Sequence, residues 1–93
     1  MLRIERGIHQ GALVLKLSGR LRAEDLLELQ SAIDDCGGSP RLDLEEVSLL
    51  DRVSVHFLIL CESQGIEIVN CALYVREWIF REKLRSERIA GNE

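Results

Sequence analysis

Apolar and polar positions alternate along the first part of the chain. Residues 3–9 and 12–17 carry Ile4 and Ile8, then Leu13, Val14, Leu15 and Leu17, the composition and period of strands, with Gln10 and Gly11 between them as a hairpin turn. Gly19 is then expected to relax the backbone as the chain leaves the sheet. From 23 to 36 the period lengthens: Leu26, Leu29, Ala32 or Ile33, and Cys36 recur every three or four residues, which predicts a helix. Glu24 and Asp25 suit the positive end of its dipole, and Gly37 and Gly38 stop it. Pro40 fixes the approach to a strand at 41–44, and residues 45–50 connect onward.

Asp51 is placed to cap a second helix over 52–64, ending at Gly65. Val53, Phe57, Leu60 and Cys61 form its expected buried stripe. Val55, Leu58 and Ile59 make other faces apolar too, so either the sheet and a neighbouring helix cover them or part of the helix is an interface. A strand follows at 66–70. The last helix, 73–86, turns Val75, Trp78, Ile79 and the stem of Glu82 to the sheet, with Trp78 as a core anchor, and 87–93 are expected to fray. The order β-β-α-β-α-β-α predicts an α/β domain, a mixed sheet with an N-terminal hairpin and helices packed on it. Ninety-three residues, without repeat or linker, make one domain, 1–93.

Composition narrows the function classes. A formal net charge of -4 argues against nucleic acid as partner. Arg76, Arg81, Lys83, Arg85 and Arg88 are interleaved with Glu77, Glu82 and Glu87, which reads as a solvated helix face. The longest apolar run, 53–61, is broken by Ser54 and His56 and is far short of a membrane span of ~20 residues, so no membrane insertion and a cytoplasmic location are expected. Cys36, Cys61 and Cys71 are expected as reduced thiols. With His9 and His56 they lack the close ligand pairs of zinc sites, so they read as small buried side chains, with no metal or cofactor. No phosphate-binding glycine loop, nucleophile elbow or His–Cys or His–Ser pairing marks an enzyme. Asp43, Glu45 and Asp51 are candidates for a carboxylate cluster at a strand end, where α/β proteins bind ligands.

The segment LDLEEVSLLDRVSVHFLIL, residues 42–60, resembles a STAS domain, the fold of anti-sigma factor antagonists and of modules attached to anion transporters and lipid-transport complexes. VLKLSGRL at 14–21 and GIEIVNC at 65–71 are similar to strands of that family, and the likeness covers nearly the whole chain. The family's loop before its second helix carries Asp, a phosphorylatable Ser or Thr, any residue, and Gly. Asp51 matches the Asp, Arg52 stands at the phosphoacceptor position and Ser54 at the Gly. The Asp common after the first Gly is absent, with Arg22 near that place. The family's phosphorylation switch therefore does not carry over; Ser54, and with it Ser48, is the lesser alternative acceptor.

The resemblance places a partner surface on Asp51, Arg52, Val55, His56 and Ile59, with Ser48 and Leu49 beside them. Arg52 has two open roles: an exposed residue paired with Asp51 or Glu45, or a fixed charge and planar donor fork for a partner's carboxylate or phosphate. The implied function is a cytoplasmic, non-catalytic regulatory module of bacterial type. Its partner is another protein, similar to an anti-sigma factor or kinase. The alternatives are a small structural subunit of a transporter ATPase assembly and a nucleotide- or lipid-sensing module.

Overall fold

A computed structural model describes residues 2–91, with side chains through residue 85. Among these residues lie four strands and three α-helices: β1 (Leu2–His9), β2 (Ala12–Leu21), α1 (Leu26–Asp34), β3 (Arg41–Leu50), α2 (Arg52–Ser63), β4 (Ile68–Val69) and α3 (Leu73–Gly91). The element order is the one the alternation of periods predicts. A 3-10 turn, Ala23–Asp25, opens α1, with Asp25 accepting from the Arg22 backbone N–H at 3.0 Å. Helix α1 ends before Cys36, and Gly37 takes the left-handed conformation behind it.

The strands lie in the order β1-β2-β3-β4, β1 antiparallel to β2 and the other three parallel. Parallel neighbours reached in one direction by right-handed crossovers put α1 and α2 on the same face, and α3 packs beside α2. One core fills that face: Leu15, Leu17 and Leu42 from the sheet, Leu29 and Ile33 from α1, Leu58 from α2, Val75 and Ile79 from α3. The opposite face is polar, with ion pairs Lys16–Glu46 at 3.3 Å and Arg41–Glu67 at 2.9 Å.

Four expectations are corrected. Strand β3 does not stop at Leu44 but runs to Leu50 beside β2, and the segment expected as a connection is paired strand. Two register breaks, at Lys16/Ser18 and Gly19/Arg20, make this workable. Such bulges let the consecutive Glu45 and Glu46 both face solvent, which a regular pleat forbids. Gly19 accordingly is no strand exit: it lies inside β2 at the second break with φ +95°. Strand β4 is shorter than 66–70 because α2 ends in a Schellman motif. Gly65 has φ +90°, Gly65 N donates to Glu62 O at 3.1 Å, Ile66 N donates to Cys61 O at 3.0 Å, and Ile66 is buried.

The fourth correction is the phase of α2. The buried residues are Ser54, Val55, Leu58 and Cys61, whereas Val53 and Leu60 face solvent at 54% and 59% exposure and Phe57 is half-buried. The helix start sets this rotation. Asp51 Oδ1 accepts from Ser54 N at 2.9 Å, and Ser54 Oγ donates to Leu21 O at 2.9 Å, tying the first turn down onto the end of β2.

In α3, Val75 and Ile79 are buried and Trp78 is half-buried against the core, as expected. The helix continues past 86 to Gly91. The frayed end expected over 87–93 falls on side chains outside those described, and Asn92 and Glu93 lie outside the described residues entirely.

Candidate docking site at the start of helix α2

The long β3 carries its chain past the end of the sheet, and Asp51 turns it into α2. Both carboxylate oxygens of Asp51 are used: Oδ1 caps α2 through Ser54 N, and Oδ2 accepts from Ala23 N at 2.9 Å. One side chain thus serves the first turn of two helical segments. Partial burial works to raise its pKa, but the bonds from Ser54 and from the backbone N–H groups of Ala23 and Ser54 outweigh it and hold the carboxyl below its ordinary value.

Arg52 and His56 share one side of α2 and turn toward α3 rather than outward. Arg52 Nε stands 3.4 Å and His56 Nε2 2.6 Å from Glu82 Oε1, and Arg85 Nη1 lies 3.8 Å from Glu82 Oε2. The stem of Glu82 faces the interior as expected, and its carboxylate collects three basic side chains. The His56 hydrogen bond is the main reason that its pKa lies below the ordinary glutamate value; burial opposes this, and the charge and hydrogen bond of Arg52 and the charge of Arg85 add to it. Glu62 near the end of α2 mirrors the arrangement, with Arg76 Nη1 at 2.9 Å and Lys83 Nζ at 3.7 Å. The Arg52 partner is therefore Glu82, not Asp51 or Glu45. Arg76, Lys83 and Arg85 engage carboxylates, two of them across the helix pair; Arg88 lies outside the described side chains.

The remaining expected residues divide by exposure. Ser48 and Leu49 are exposed at the end of β3, with Ser48 Oγ donating to Gly19 O at 3.2 Å. Val55 is fully buried and cannot touch a partner, and Ile59 is half-buried against the core. Ser54, the alternative acceptor, is also fully buried with its hydroxyl engaged, so it is closed to a kinase. Replacing Val55 on the outer surface are Val53 and Leu60, which with half-buried Phe57 share one face of α2 at i, i+4 and i+7; Leu49 is exposed just before the helix. The excess of apolar residues all round this helix is the sequence signal for that face.

Neither other candidate assembles. Asp43 accepts from Glu45 N at 2.9 Å and Asn70 Nδ2 at 3.2 Å near the start of β3. Asp51 lies beyond the other end, some eight residues or roughly 25 Å away along extended chain, so these carboxylates do not meet. Cys61 is buried, its thiol pushed up to about 11 by burial and by Glu62, while Cys36 and Cys71 are half-buried free thiols. No group of three or more metal-ligating side chains occurs among the described residues. The open sheet face holds a depression of about 610 Å³ lined by Gly7, Val14, Lys16, Arg41, Asp43 and Val69. No described helix is long and apolar enough to cross a membrane.

This architecture is a SpoIIAA-like, STAS-like fold. It is similar to the crystal structure of an uncharacterised DUF3478-family protein with a SpoIIAA-like fold from Shewanella loihica PV-4. The two are 21% identical with a TM-score of 0.51, the match covering 88% of this chain and 76% of that one. No family model and no curated protein matches the chain.

Proposed function

We propose that this STAS-type domain is a non-catalytic interaction module of the cytoplasm that docks another protein on the start and outer face of α2. The observation that supports it is the exposure of Val53 and Leu60 on the outer side of α2, with half-buried Phe57 between them and exposed Leu49 just before the helix, on a helix whose opposite side already supplies the core. A domain with a filled core gains little in folding from Leu49, Val53 and Leu60 exposed to water, and apolar patches of this kind mark interaction sites. Arg52 and His56 form the polar rim on the α3 side, held in place by Glu82, and Ser48 closes the end toward β3. Docking on this reading is independent of phosphorylation, because Arg52 occupies the position at which the family resemblance expects an acceptor.

The test is affinity capture from native cells with the unaltered protein, Leu60→Asp, Val53→Asp and, as a control on the far helix, Leu73→Asp. A partner retained by the unaltered protein and by Leu73→Asp but lost with both α2 variants supports the reading. Equal capture by all four removes α2 as the interface. Arg52→Met is the informative change at the rim, since Arg52→Glu sets a second carboxylate against Glu82 and perturbs the helix pair itself.

A second reading, a subunit held permanently in a larger assembly such as a transporter ATPase, is favoured by Leu73, Phe80 and Leu84, exposed along the outer face of α3. Copurification at fixed stoichiometry through gel filtration, lost with Leu73→Asp, distinguishes it from a regulator that binds through α2 alone.

A further inference from the structure

The hairpin turn determines which backbone groups of β1 are free. Gln10 and Gly11 have φ of +52° and +81°, the two positive values of a type I′ turn. His9 and Ala12, which flank it, are then the pair that exchanges both backbone bonds. Counting back in twos, Gly7, Glu5 and Arg3 direct their N–H and C=O groups to β2, whereas Ile8, Arg6, Ile4 and Leu2 aim theirs outward. That outward edge borders no described strand, and the β1–β2 pairing runs unbroken from Leu2↔Gly19 to His9↔Ala12. β1 carries neither a proline nor a bulge to block this edge, and its charged residues Arg3, Glu5 and Arg6 are of both signs rather than one.

We propose that β1 pairs antiparallel with β1 of a second copy of this chain, about a twofold axis through Ile4 perpendicular to the sheet. The charge pattern selects this register. With the axis at Ile4, Arg3 lies opposite the second copy's Glu5 and Glu5 opposite its Arg3. These are non-hydrogen-bonded positions, where cross-strand side chains come closest. The two Ile4 residues form a hydrogen-bonded pair through their outward groups, and each half-buried Ile4, already packed on the core, is covered on its open side. An axis at Arg3, Glu5 or Arg6 sets a like-charged pair at the centre, and one at Gly7 faces Glu5 with His9 and forms no Arg–carboxylate pair. Within one copy Arg3 and Glu5 are 3.4 Å apart at exposures of 74% and 51%, so both are free to exchange that contact for the intermolecular one. The result is a sheet continuous across two copies, with the α2 face of each left open.

Sedimentation equilibrium over a concentration series tests this with the full chain, Arg3→Glu, Glu5→Arg and an equimolar mixture of the two variants. The unaltered chain is expected to dimerise. Each variant places like charges at both symmetry-related positions and weakens self-association by about tenfold or more. The mixture returns toward the original affinity, because each variant then meets charges opposite to its own. Both side chains lie on the surface, and thermal melts matching the unaltered monomer at low concentration establish that folding is intact. A chain that stays monomeric to millimolar concentration, variants that dimerise as tightly as the original, or a mixture no tighter than its components overturns the proposal.

Discussion

Asp51 offers the sharpest test of how the start of α2 is built, because one carboxylate answers two backbone donors at 2.9 Å each, Ser54 N and Ala23 N. Loss of a helix N-cap costs about 1 kcal/mol. The second, charge-assisted bond is partly open to water at Ala23 and adds about another 1 kcal/mol. Asp51→Ala should therefore destabilise the fold by about 2 kcal/mol, a fall in Tm on the order of 10 °C for a domain of this size. Asp51→Asn keeps one acceptor oxygen for Ser54 but sets an amide donor against Ala23 N, and should cost about half as much. Urea denaturation with an unchanged slope reads both values.

The pH dependence gives an independent arm. The folded pKa of Asp51 is depressed, so its contribution is complete above the unfolded value of ~4 and is lost as pH falls through that range toward the lower folded value. The gap between the unaltered protein and Asp51→Asn should narrow over that acid window. An Asp51→Ala protein within about 0.5 kcal/mol of the original, or a gap that stays constant from neutral pH into acid, refutes the double-cap account.

Three further predictions bear on the fold and the helix pair. Leu58→Ala should cost about 2–5 kcal/mol in denaturant unfolding while Leu60→Ala, only two residues on, costs less than about 0.5; comparable losses would mean that α2 is rotated from the phase described. Gly19→Ala should destabilise by roughly 1–3 kcal/mol because it forces a side chain onto a backbone with φ +95°, and a neutral result argues against the bulge. Glu82→Gln should lower the Tm at neutral pH and reduce the loss of stability on acidification, since the Glu82 carboxyl is held below its ordinary value and its contribution disappears as pH falls through the carboxylate range. If the acid limb is unchanged, Glu82 is not the group that joins the helices.

Much of the fold was legible because its signals are local. Gln10 and Gly11 mark the hairpin, Asp51 the cap and Gly65 the stop, each within a turn of the residues it controls. The length of β3 was not legible, because Glu45 and Glu46 interrupt the alternation that defines a strand and only pairing to β2, with two bulges, restores it. The phase of α2 failed for a related reason. Val53, Phe57, Leu60 and Cys61 form as good a helical stripe as Val55, Leu58 and Cys61, and the choice between them was made by Ser54 reaching Leu21, 33 residues away in sequence. At the candidate site, the position of Asp51 and the exposure of Ser48 and Leu49 were readable, whereas Glu82, the partner of Arg52 and His56, comes from an element 30 residues later.

That partnership bears on what Arg52 does. A cation in the first turn of a helix opposes the dipole, and the position favours anions. Its presence at the start of α2 makes physical sense only with Glu82 beside it. Glu82 is buried at 6% exposure and also engages His56 and Arg85. The same carboxylate would repel a phosphate placed on residue 52, so a serine or threonine there, in this chain, would set two anions against each other at the α2–α3 contact. Arg52 and Glu82 are thus one structural unit at the α2–α3 contact. Because the unit draws the local charge toward α3, the outer face of α2 keeps Val53 and Leu60 as its main exposed apolar features. Docking there should depend on apolar complementarity and change little with ionic strength.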